Sequence, residues 1–225
     1  GNLCKIGAST TITEFEESPH IQKIFPNLSK YLKLVSSTPI RNMATMGGNI
    51  VNASPIGDMT IFFLALNSTI TISNENGNER TIPLKNFYQG YKTYDLKDGE
   101  LLKNISFTLP NKSTFFNFEK VCKRTYLDIA SVNTAINIEC NNHGKVIKAG
   151  LAAGGVAPVP KYLAQTSAFL VGKQLNQALL EESLELAQKE VSPISDVRGS
   201  VEYKRLLLRQ LMKAHYQALF PDLYN

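Results

Sequence analysis

Side chains that commonly do chemistry are scarce and scattered in this chain. His20, His143 and His215 are isolated from one another, and Cys4, Cys122 and Cys140 are widely spaced with no CxxC pair. A zinc or iron–sulfur centre held by this chain alone is therefore not expected, and no Ser-His-Asp grouping is suggested. The segment that does invite chemistry is "RNMATMGGNIVNASPIGD", residues 41–58. Its means are backbone and small side chains. Gly47-Gly48 permits positive φ and the close approach of a ligand. Thr45, Asn49 and Ser54 add short hydrogen-bonding groups. Successive N–H groups in such a turn form a concave anion site, for which a phosphate or pyrophosphate is the natural guest. The same glycine pair also reads as a tight turn between buried elements. The pattern is neither a Walker A loop nor the Rossmann GxGxxG.

The surrounding elements must hold this segment in place. Residues 61–66 are apolar all round and predict a buried helix, entered with Ser54 as cap and Pro55 in the first helical position. Upstream, "LCKIG" reads as a short strand. Thr11 and Thr13 ahead of Glu14, Glu16 and Glu17 predict a helix start, and a second helix is expected over about residues 25–34. Downstream, "STITIS" alternates with Ile70 and Ile72 on one face, Asn76-Gly77 turns the chain, and "RTIPL" and "ELLKNISFTLP" continue as strands. Near Asn111 the composition shifts. Three consecutive strands, neighbours in one sheet, are predicted over 114–122, 128–140 and 145–153, with "NNHG" as a hairpin turn. Val132, Thr134, Ile136, Ile138 and Cys140 share a face of the middle one. Helices follow over about 161–172, 176–191 and 199–220, the last with Leu207, Leu211, Ala214 and Ala218 on one side. The fold class is α+β in two parts, residues 1–111 and 112–225, the second a sheet with helices on one side.

The 225 residues are 43% apolar and 19% charged, with a net charge of +5. No apolar run approaches the ~20 residues needed to span a membrane, and the start lacks a signal-peptide pattern. A cytoplasmic protein is expected. Basic residues are dispersed except in "EYKRLLLRQLMKAH", which reads as a solvated helix face, so neither nucleic acid nor membrane is an expected partner.

Over residues 40–58 the sequence "IRNMATMGGNIVNASPIGD" resembles the FAD-binding signature of the xanthine dehydrogenase family. That family includes the flavin-carrying medium subunits of carbon monoxide dehydrogenase and related molybdenum hydroxylases. "LCKIGASTTITEFEESP" is similar to the entry into the family's second FAD subdomain. "AGGVAPVPKY" resembles its AGG-AP-P-R signature, with Lys161 in place of the usual Arg. "PISDVRGSVEYKRLLLRQL" is similar to its closing signature. The resemblance spans the chain and implies the second subdomain of a PCMH-type FAD-binding domain (1–111) followed by a CO dehydrogenase flavoprotein C-terminal-like domain (112–225), with three strands and three helices. It also implies that the family's N-terminal FAD subdomain, with its AGGT-like loop, is absent here, so FAD is expected to bind weakly or not at all.

What the resemblance implies is an oxidoreductase component, inactive alone, that passes electrons from 2Fe–2S clusters on a small subunit through FAD to NAD or another acceptor. Substrate oxidation would occur on a molybdopterin-binding large subunit. Thr45, Met46, Gly47, Gly48 and Asn49 match the loop on the FAD phosphates and ribityl chain. Asp58 matches an acidic cofactor contact, although a carboxylate there also suits a helix N-terminus. Leu102 matches an apolar flavin contact and is otherwise simply core. Lys120 matches a lysine near the flavin and is otherwise an exposed strand charge. Val35 stands where relatives often carry an aromatic residue. Asp196 and Arg198 could pair and pin the last helix. The alternative reading is a structural or docking subunit that no longer holds FAD.

Overall fold

The computed structural model describes residues 2–124 and 126–223. Strand β1 (Leu3–Gly7) leads into four short helices, α1 (Ile12–Glu17), α2 (Pro19–Ile24), α3 (Leu28–Leu32) and α4 (Thr38–Met43). The expected start at Thr11 is a full capping box: its side chain accepts from the Glu14 amide while the Glu14 carboxylate accepts from the Thr11 amide. The helix expected over 25–34 is shorter, and α2 and α4 were not foreseen. Each of those two has proline in its first turn, where the missing N–H costs no hydrogen bond.

Helices α5 (Met46–Val51) and α6 (Asp58–Ala65) follow, and the first sheet is completed by β2 (Thr69–Asn74), β3 (Glu79–Pro83) and β6 (Glu100–Thr108), with a small ribbon of β4 (Tyr88–Gly90) and β5 (Thr93–Tyr94) between. The sheet is antiparallel, in the order β1-β6-β2-β3. Arg80 knits its outer strand to the ribbon's exit, with ion pairs to Asp95 at 2.8 Å and Glu100 at 2.7 Å.

The second sheet holds β7 (Thr114–Cys122), β8 (Ala130–Cys140) and β9 (Val146–Gly154), neighbours as expected. A short edge strand, β10 (Lys161–Tyr162), adds a fourth member where a helix start was expected. Helices α7 (Ala164–Leu170), α8 (Gln177–Glu190) and α9 (Val201–Leu219) cover one face. Val132, Ile136, Ile138 and Cys140 pack with them in one apolar core. The inner side of α9 is Leu207, Leu208, Leu211, Met212, His215 and Tyr216, and the expected Ala218 is exposed.

The other face of this sheet is not open to solvent. Helix α6 lies against β8 and β9, so β8 is buried on both sides over most of its length. Every residue of α6 from Met59 to Ala65 is buried, as a sequence apolar at all of these positions but Thr60 requires. Gly150 makes the contact possible, since a Cβ there would sit 2.1 Å from the Ala65 carbonyl oxygen. Phe25, Phe62 and Phe116 interlock with centroids 4.6–5.1 Å apart, binding β7 to the first core.

Candidate functional site

The Gly47-Gly48 pair is not a left-handed turn. Both glycines lie in α5, and neither has positive φ. Thr45 caps the helix, its hydroxyl accepting from the Gly48 amide at 3.0 Å. The reason for glycine at 47 is contact: its amide donates to the Ala8 carbonyl at 2.8 Å, and a Cβ there would lie 2.7 Å from the Ala8 Cβ. The Met46 amide donates to Thr10 and the Asn49 amide to Thr45. Around the glycine pair, where successive N–H groups were expected to form an anion site, the amides of residues 46–49 are thus engaged within the protein. Met46 places its side chain in the core rather than toward a ligand. Gly48 differs from Gly47 in being exposed, with only the Thr45 hydroxyl near a would-be Cβ, at 2.9 Å. It offers a bare strip of backbone.

The Ser54-Pro55 helix entrance is also corrected. Ser54 and Pro55 form a turn, with the Ser54 hydroxyl accepting from the Ile56 amide, and α6 begins later with Gly57 as its cap residue. Pro55 is held from across the molecule, its carbonyl accepting from the Gly155 amide at 3.0 Å. Asn49 does the capping instead. Its side-chain oxygen accepts from both the amide and the hydroxyl of Thr60, tying α5 to the first turn of α6.

That turn presents Asp58. One of its oxygens pairs with Lys120 at 2.8 Å and the other accepts from Asn133 at 2.6 Å. The Lys120 side chain is 1% exposed, so it is a buried cation and not a solvated strand charge. Burial raises the Asp58 pKa from its usual value, opposed by the neighbouring Lys120 charge and by the Lys120 and Asn133 hydrogen bonds. Lys120 also donates to the Leu34 carbonyl at 2.8 Å. Arg41 donates to the next two carbonyls, Val35 at 3.0 Å and Ser36 at 3.2 Å. Two cations therefore clamp three consecutive carbonyls. Ser36 is forced to φ 52°, a conformation costly for a residue with a side chain. The amides of Ser36 and Ser37 carry no hydrogen bond among the described residues.

The structure thus brings Thr45, Gly48, Asn49, Asp58 and Lys120 into one hydrogen-bonded sequence of elements. It leaves Leu102 in the first core, opposite Ile72 in β2. Sequence reasoning missed Asn133, Arg41 and the Leu34–Ser36 carbonyls. Asn133 sits beside Gly154, where a Cβ would come within 2.1 Å of its side-chain oxygen, so the "AGG" run was the one available signal. That oxygen is buried and has no partner among the described residues.

Hydrogen bonds link the start of α5 to α6 through Asn49 and Thr60, and α6 to the Leu34–Ser36 loop through Asp58 and Lys120. Gly48 is exposed at the start of α5, where a Cβ would press on the capping Thr45 hydroxyl. Residues 1–111 match the FAD binding domain in molybdopterin dehydrogenase, and residues 118–219 match the CO dehydrogenase flavoprotein C-terminal domain. The glyceraldehyde dehydrogenase medium chain of Sulfolobus acidocaldarius is 32% identical over 95% of this chain and 75% of its own length. Xanthine dehydrogenase 1 of Arabidopsis thaliana is 35% identical over 78% of this chain, which spans only 13% of that protein. The solved carbon monoxide dehydrogenase from Hydrogenophaga pseudoflava superposes with a TM-score of 0.90 at 26% identity, over 98% of this chain and 76% of that one. The chain belongs to the FAD-binding medium chains of the xanthine dehydrogenase and carbon monoxide dehydrogenase family, the molybdenum hydroxylases.

Proposed function

We propose that this chain carries the flavin in an electron-transfer complex, between a 2Fe–2S small subunit and NAD or another acceptor, beside a molybdopterin-binding large subunit. On this reading it turns over no substrate alone and works in the cytoplasm. FAD, when bound, supplies the redox chemistry. The chain's own residues bind and orient. Gly48 gives the cofactor close access to the backbone, and the Thr45 hydroxyl and Asn49 side chain border it. Asp58 and Lys120 fix the Leu34–Ser36 loop and place one buried charge pair beside it. Leu102 contributes through the core that backs the site.

The observation that carries this reading is the clamp: two cations hold the carbonyls of a strained loop and leave its amides unbonded. Ser36 and Ser37 are only partly buried, so these amides can meet an outside group, water or a ligand, without moving the loop. The test is a flavin titration followed by fluorescence quenching. Gly48→Val is expected to weaken FAD binding by tenfold or more while the circular dichroism spectrum is retained. Undiminished binding by the folded variant would sink the assignment.

A further inference from the structure

Beside the Ser54–Ile56 turn lies a cavity of about 540 Å³ whose lining includes neither Asp58 nor Lys120. This is within the range of roughly 300–1,000 Å³ typical of small-molecule sites. Pro55, Ile56, Ala157, Pro158 and Ile194 give it apolar walls. Arg198, Lys204 and Lys92 line it together with a single carboxylate, Asp196.

The charged groups are not equivalent. Lys204 is buried and spent, bonded to Asp196 at 2.9 Å and to the Ile194 carbonyl at 2.8 Å. Lys92 is held by the Asn52 carbonyl. Arg198 reaches Asp196 only at 3.6 Å, and its guanidinium makes no hydrogen bond among the described residues. Its donors are available.

The loop that bears Arg198 is exposed yet over-determined. The Ser131 hydroxyl donates to the Arg198 carbonyl, the Asp196 carboxylate accepts from the Arg198 amide, and the Ser192 amide donates to Val156. Asp196 and Gly199 exchange two backbone hydrogen bonds. A guanidinium on so fixed a loop loses little freedom when it binds. A two-pronged donor beside apolar walls selects an organic anion with two oxygens able to accept parallel hydrogen bonds.

We propose that this cavity binds a small organic anion, an aromatic or aliphatic body between Ile56 and Ala157 with its carboxylate, sulfonate or phosphate on Arg198. The probes are naphthalene-1-sulfonate and its neutral counterpart 1-naphthalenemethanol, titrated calorimetrically into the chain. The sulfonate should bind saturably at one site. Arg198→Gln should weaken the sulfonate at least tenfold and the alcohol less than twofold, and Arg198→Lys should restore part of the difference. Ala157→Phe, which narrows the cavity without touching the charge, should weaken both. Saturating FAD should leave the sulfonate affinity unchanged, and this arm is read separately from FAD binding itself. Absence of saturable binding, indifference to Arg198→Gln or to Ala157→Phe, or displacement by FAD would each overturn the proposal. So would sulfonate uptake that appears only when the chain self-associates on a sizing column.

Discussion

His215 should make the second sheet's packing sensitive to acid, by an amount the structure sets. It is buried in α9, with Nδ1 3.0 Å from the Asn117 side-chain nitrogen and Nε2 2.8 Å from the Thr134 hydroxyl. An amide nitrogen can only donate, so Nδ1 accepts and Nε2 carries the proton and donates to Thr134. The ring is neutral, and burial pushes its pKa down to about 3. Below pH ~6.5 the unfolded chain binds a proton that the folded chain refuses, so stability falls with acidification until about pH 3. Between pH 7 and pH 5 this one group removes about 2 kcal/mol, a figure governed by the ordinary histidine pKa as long as the folded value stays well below 5. For a chain of this size that corresponds to roughly 4–8 °C in Tm. Acid acts on more than one group of the protein, so the measurement is a difference. His215→Gln can keep both hydrogen bonds but cannot be protonated. Thermal melts of both proteins at pH 7 and pH 5 should show the wild type losing those extra degrees. Equal losses would refute the neutral, buried assignment.

Gly47→Ala tests contact against helix propensity. Alanine alone would stabilise a helix by up to about 1 kcal/mol, but the Ala8 clash should reverse the sign to a loss of about 1–3 kcal/mol, read by urea unfolding. A gain would mean that Ala8 moves aside freely. Lys120→Met should cost about 3–5 kcal/mol because it leaves Asp58 buried without its cation. The Asp58→Asn/Lys120→Met double variant should recover more than half of that loss in the same unfolding assay, and a double variant as weak as the single would argue against the pairing.

Much of the framework was legible because it rests on local pattern. The apolar run at 61–66 announced a buried helix, Thr11 and Glu14 announced a cap, and the alternation from Val132 to Cys140 announced the middle strand. The readings that failed depended on contacts distant in sequence. Two glycines in a six-residue helix contradict local propensity, and the close approach of Ala8 explains the first of them. Pro55 belongs to a turn because Gly155 holds its carbonyl. Lys120 looked like a surface charge because a strand's pattern does not say that both of its faces are covered. The flavin residues were matched by resemblance, whereas Arg41 and Asn133 act through bonds spanning 5–6 and 75–77 residues respectively. Asn133 had no signal near it in sequence, only the distant AGG run at 153–155.

Helix α6 belongs by sequence to the first part of the chain and by packing to both. Its apolar surface is at once the floor of one sheet and the ceiling of the other, with Ala135 and Ala152 of the second sheet joining the first core. A boundary drawn near residue 111 therefore separates two family signatures but cuts no seam in the folded molecule. Expressed alone, the later part would display to water the β8–β9 face that α6 now covers. Moving the later part onto another protein would require a substitute for this helix, and moving the earlier part a substitute for the β8–β9 face. The consequence is inheritance as a pair: the two segments are expected to melt together, and to be exchanged in evolution as a single unit.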